Sequence, residues 1–110
     1  MKTIELSDNE QAALAVLKKA LEERFALVDF RVFGSRARGQ AVPDSDIDVM
    51  IELEDYTPAS ESEIDEIAFK INLEHDCFIS IVIFGRRELE EGPLAESPLY
   101  RVIEREGVKV

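Results

Sequence analysis

The chain has 110 residues, 45% of them hydrophobic, which fits one domain with a modest core. Its 24 acidic against 13 basic residues give a net charge of −11, so general nucleic-acid binding, which needs Lys and Arg against phosphates, is disfavoured. No apolar run approaches the ~20 residues of a membrane span, the first ten residues lack the apolar centre of a signal peptide, and a lone cysteine, Cys77, excludes an internal disulfide and suits a reducing cytoplasm.

Residues 7–25 read as the first helix. Ser7 and Glu10 have the spacing of a capping box. Ala13, Val16, Leu17, Ala20 and Leu21 make its apolar stripe, with Phe25 beyond the last turn. Residues 28–33 read as a strand with Val28, Phe30 and Val32 on one face and Asp29 and Arg31 on the other. Gly34-Ser35 then opens a turn into a short helix over 36–40. Glycine lets backbone approach a ligand closely, and Ser35 is placed to cap the helix or bond a phosphate. Arg36 and Arg38 add positive charge there, Gly39 ends the turn and Pro43 stiffens the return.

Residues 46–53 form the second strand. Ile47, Val49, Ile51 and Leu53 alternate with Asp46, Asp48, Met50 and Glu52. Asp46 and Asp48 therefore share a face, roughly 6.8 Å apart along the strand. Paired carboxylates fixed this way suit hard divalent cations such as Mg²⁺. A calcium loop beginning at Asp44 is ruled out, because its sixth position is Val49 rather than glycine and its twelfth is Asp55 rather than glutamate.

Residues 60–74 read as a second long helix, with Ser60 and Glu63 at its cap and Ile64, Ile67, Ala68 and Ile71 inward. His75 follows it as a helix-end histidine, with no partner spacing that suggests zinc. Residues 77–84, CFISIVIF, form a third strand apolar enough to be covered on both faces, with Cys77 a buried thiol. Ser80 is its one polar interruption. A short charged helix or turn over 86–92 and a loop over 93–98 lead to a last helix over 97–106. That helix has Leu99, Val102 and Ile103 inward and Gly107 as C-cap. Residues 108–110 add a short edge strand, able to pair between chains although nothing requires a homo-oligomer. The whole is an α+β domain over 1–110, a small mixed sheet of three to four strands with helices packed on it.

Gly34-Ser35, ten intervening residues and Asp46-x-Asp48 resemble the signature of the minimal nucleotidyltransferases of the DNA polymerase β-like superfamily, and the text GSRARG…SDIDV is close to it. The resemblance covers about a quarter of the chain. It implies transfer of NMP, AMP in the first place, from an NTP with two Mg²⁺ ions. In that reading Asp46 and Asp48 are catalytic and metal-binding, Gly34 and Ser35 hold the β/γ-phosphates, and Arg36 or Arg38 neutralises the leaving pyrophosphate. It also implies a third carboxylate on the third strand, where this chain has Ser80. Small members of the family pair with a helical HEPN protein, some as the antitoxin of a toxin–antitoxin couple that adenylylates the toxin. The alternative is a catalytically weak or inactive antitoxin-like module that binds NTP or metal and acts by masking a helical partner. The bland reading is a solvated Asp-x-Asp beside an ordinary turn, which leaves the joint spacing to chance. The acidity is mostly a solubility feature, and it suits a basic protein partner.

Overall fold

A computed structural model describes residues 6–39 and 46–110. Within them run α1 (Asp8–Arg24), β1 (Leu27–Phe33), α2 (Ser35–Arg38), β2 (Ile47–Leu53), α3 (Pro58–His75), β3 (Ile79–Gly85), α4 (Arg86–Glu91), a 3-10 turn (Pro93–Glu96), α5 (Pro98–Glu106) and β4 (Val108–Lys109). Gln40 and Pro43, expected at the end of the short helix and in its return, lie outside the described residues.

The sheet is mixed, in the order β3-β2-β1-β4. β1 runs antiparallel to both β2 and β4, and β2 runs parallel to β3. A parallel neighbour needs a crossover, and α3 supplies it. Ile47, Val49, Ile51 and Leu53 face α1 and α3 in the main core, with Phe30, Val32, Ile64 and Ile71. The opposite face carries a smaller core of Phe33, Met50, Phe84, Leu89 and Ile103, covered by α4 and α5. This core reaches Phe33, the ladder partner of Asp48, while Ser80 on the other side of Asp48 is exposed.

Several local expectations are corrected. α3 begins at Pro58, and its capping box is Thr57 with Ser60, not Ser60 with Glu63. Pro58 fits the first helical position, where the missing N–H costs nothing, so Ser60 becomes the third residue of the helix. The stripe of α1 is Ala13, Leu14, Leu17 and Leu21, while Val16 is 46% exposed. Val28 is also exposed, because the pairing of β1 with β2 shifts between Leu27 and Asp29. Leu99 turns outward and Ile103 inward. Gly107 caps α5 with φ −64°, so it is not a left-handed cap; its missing Cβ leaves room for the Ile103 carbonyl. His75 is the last residue of α3, its ring Nδ1 3.1 Å from the Ile71 carbonyl.

The expectation that the third strand is covered on both faces holds for Ile79, Ile81 and Ile83 against the main core and for Val82 and Phe84 against the smaller one, and fails at Ser80. β3 is the edge of the sheet, and Ser80 and Phe78 are exposed. Apolar content reports burial of some side chains, not the presence of a second neighbouring strand. Cys77 precedes the strand but is buried as expected, and burial pushes its thiol pKa up, helped by Glu10 and Asp76.

Candidate active site

β1 delivers the chain to the site. After Phe33, Gly34 takes φ +74° and ψ −154°, a conformation that L-residues with a Cβ rarely adopt. A Cβ built there would collide with Asp48 Oδ2 and lie 3.3 Å from Asp48 Cγ. The glycine therefore brings backbone directly against a carboxylate. The Gly34 carbonyl accepts from the N–H groups of Ala37 and Arg38, at 3.1 and 3.2 Å, which winds α2. Gly34 is the N-cap and Ser35 the first helical residue, so Ser35 is not the cap. Gly39 closes the turn at φ +70°.

Asp48 is the centre of the arrangement. It pairs with Phe33 across the antiparallel ladder and with Ser80 across the parallel one. In-register neighbours project from the same face of a sheet, so Ser80 stands beside Asp48 one strand away. Its hydroxyl position is exposed. Asp46 lies just before β2, exposed on the same parity. Burial raises the Asp48 pKa first, the Asp46 charge raises it further, and Arg38 pulls it down. Two like charges close enough to oppose each other's ionisation form a site that a cation would relieve. The donors are all hard oxygens, two carboxylates and a hydroxyl, and they fit a divalent cation of the Mg²⁺ type. Among the described residues no group of three or more His, Cys, Asp and Glu side chains converges on one point, so the remaining ligands of such an ion would come from nucleotide and water.

The two arginines part company. Arg38 Nη1 donates to Glu106 Oε2 at 3.0 Å, yet its charge is felt at Asp48. Arg36 turns the other way: it is 5% exposed and donates two hydrogen bonds to Glu10, at 2.7 and 2.9 Å. Burial pushes the Glu10 pKa up, but the bonds from Arg36 and Ser7 outweigh it and hold the carboxyl below its ordinary range. Glu10 thus does two things, closing the capping box of α1 and anchoring α2. Sequence reasoning found only the first, because a pair 26 residues apart leaves no short-range signal.

Glu52 shares the face of Asp48 but sits over the other end. It pairs with Asp29 and Phe84, and burial with the nearby Asp29 charge raises its pKa. Met50, 1% exposed, lies between the two carboxylates and separates them.

A solved structure described provisionally as a minimal nucleotidyltransferase superposes on 94% of this chain and 97% of its own, with a TM-score of 0.63 and 22% identity, and so shares the fold. The profile of the nucleotidyltransferase domain family matches residues 14–109, and the chain belongs to that family. The protein adenylyltransferase MntA of Thermococcus cleftensis is 42% identical over 45 residues, 41% of this chain and 46% of that protein. A provisionally named protein adenylyltransferase of Methanocaldococcus jannaschii is 38% identical over 50 residues, 46% of this chain and 50% of that protein. The match spans about half the length of these curated relatives. Among the described residues no helix is long and apolar enough to cross a membrane.

Proposed function

We propose that the chain transfers a nucleoside monophosphate, AMP from ATP in the first place, to a hydroxyl group on a protein acceptor. The observation that carries this reading is Gly34 turned onto Asp48 so tightly that no Cβ fits between them. Such an approach joins a phosphate-binding turn to a carboxylate pair, which is the geometry nucleotidyl transfer needs. The relatives named as protein adenylyltransferases favour a polypeptide acceptor.

In this reading Asp46 and Asp48 would hold the divalent cations, Mg²⁺ in the cell, which would supply neutralisation of charge on the attacked phosphate and the leaving group. The Gly34-Ser35 backbone and the Ser35 hydroxyl bind the β/γ-phosphates, and Arg38 offsets charge on pyrophosphate as it leaves. The acceptor oxygen bonds to the α-phosphorus as the bond from that phosphorus to pyrophosphate breaks. The acceptor's proton passes to water, because the neutral Ser80 hydroxyl is a poor base. Arg36, committed to Glu10, acts by fixing the helix after the turn. The acceptor is a helical HEPN-type protein, for which a surface of net charge −11 suits a basic contact. The chain is then the antitoxin of such a couple.

Ser80 in register with Asp48 favours a second reading, a module that binds NTP and metal but turns over weakly. Incubation with labelled ATP and Mg²⁺, with and without a co-purified partner, separates the two by intact mass. A gain in AMP units that disappears in Asp48→Asn supports the transferase. No gain with any of the four NTPs, while the partner stays bound, supports the binding module.

A further inference from the structure

β3 is an edge strand of seven residues whose first outward-facing backbone groups are met by a side chain. The Ile47 N–H donates to the Phe78 carbonyl at 2.8 Å. Alternate residues of a parallel strand turn their backbone toward the neighbour, so Phe78, Ser80 and Val82 address β2, and Ile79, Ile81 and Ile83 address the outside. At Ile79 the outward groups are satisfied: the Asn72 amide accepts from its N–H at 2.8 Å and donates to its carbonyl at 3.2 Å, as a paired strand would. At Ile81 and Ile83 no strand lies outside, among the described residues. Beside the Asn72 end, Phe69, Leu73 and Phe78 are 64%, 69% and 68% exposed and line a groove of about 270 Å³ with Asp76 and Cys77. A bare backbone edge next to exposed large apolar side chains is the surface that soluble proteins ordinarily blunt.

We propose that this edge is where the acceptor polypeptide docks, through an extended segment outside its helices that adds as a short strand beside β3 with one apolar residue seated in the Phe69–Leu73–Phe78 groove. The inference rests on the transferase reading and deepens it. Position selects the occupant. Ser80 is the in-register neighbour of Asp48, so an added residue opposite Ser80 lies two strand spacings, about 9.6 Å, from Asp48. A long hydroxyl side chain on that residue reaches back over Ser80, which is small enough to let it pass. Charge points the same way. Asp76 rims the groove, Glu66 and Glu74 are exposed on α3 beside it, and Lys70 sits 3.9 Å from Glu66. A second copy would bring −11 against −11, whereas a basic segment is attracted.

The test uses a ten-residue peptide of alternating valine and lysine with one central tyrosine, and amide hydrogen exchange of the whole chain. The expected result is at least tenfold slower exchange at the Ile81 and Ile83 N–H groups, with no slowing by the same peptide carrying glutamate for lysine. Leu73→Ser, on an exposed position, should weaken the peptide at least tenfold and leave Mg-ATP binding unchanged. Slowing elsewhere or nowhere overturns the proposal. So does protection of Ile81 and Ile83 in the free chain with a dimeric sedimentation mass, which would assign the edge to a second copy. Protection without AMP transfer to any acceptor overturns the transferase reading and leaves the edge as a polypeptide-binding surface; transfer without protection overturns the edge.

Discussion

Gly34 and Asp48 set opposing demands at the scale of single residues. Gly34→Ala must strain a positive φ, at about 1–3 kcal/mol, and displace the Asp48 carboxylate that its Cβ would strike. It should lower the unfolding midpoint and weaken Mn²⁺ binding together, measured by denaturation and by electron paramagnetic resonance. Asp48 itself is held against its own comfort. Its folded pKa is raised by burial and by Asp46. A raised carboxyl pKa means that ionisation disfavours the folded state, a penalty absent below the unfolded pKa of about 3.9 and growing as pH rises through the folded value. Asp48→Asn should therefore melt higher than the parent at pH 7, with the gain vanishing on acidification below that range. A carboxylate that costs stability is the trade expected of a residue kept for a site, the role proposed for Asp48. Ser80→Asp should tighten Mn²⁺ binding, since it puts a third carboxylate in register with Asp48.

Elements are set in place by contacts that bridge them. α2 has four residues, too short to persist alone. Its more buried attachment is the Arg36–Glu10 pair, with side chains only 6% and 13% exposed, beside the more open Arg38–Glu106 pair. Removing one member of such a pair strands the other charge, so Arg36→Ala should cost about 3 kcal/mol. Because the Glu10 pKa is lowered, the stabilisation it supplies is present above its ordinary pKa and is lost as pH falls through the depressed value. The difference between parent and Arg36→Ala in urea midpoint should accordingly shrink on acidification. α3 shows the same logic at its start: Thr57 accepts from the Ser60 N–H at 3.1 Å while Ser60 Oγ accepts from the Thr57 N–H at 2.8 Å. Thr57→Ala should cost about 1 kcal/mol, read from the shift of the same midpoint.

For the whole molecule, an excess of eleven negative charges acts everywhere at once. Self-repulsion of this kind weakens with added salt. Raising NaCl from low to physiological concentration should lift the melting temperature by about 3 °C, roughly 0.5 kcal/mol for a domain of this size. The two cores divide the labour. The larger one joins α1 and α3 to the sheet, and the smaller one, around Met50 and Ile103, supports the face that carries Asp48.

Local pattern alone was enough for a good part of this protein. Period-two alternation over β2 placed Asp46 and Asp48 on one face, because strand geometry leaves side chains no other choice. The Ser7–Glu10 box and Gly39 as the end of the short helix were equally legible, since each closes within a few residues. Folding decided what depends on distant partners. Arg36 stood in the sequence only as a cation beside a phosphate turn, and the fold pairs two of its donors with Glu10, far away in sequence. The apolar run of β3 did not reveal an edge, because apolar content is silent about strand order. Ser80 was by its own pattern a polar break in a strand; the family resemblance put it at the third-carboxylate position, and the parallel register with β2 sets it beside Asp48. Short-range periodicity reports which way a side chain points; what stands opposite it is settled by which strands the chain brings together.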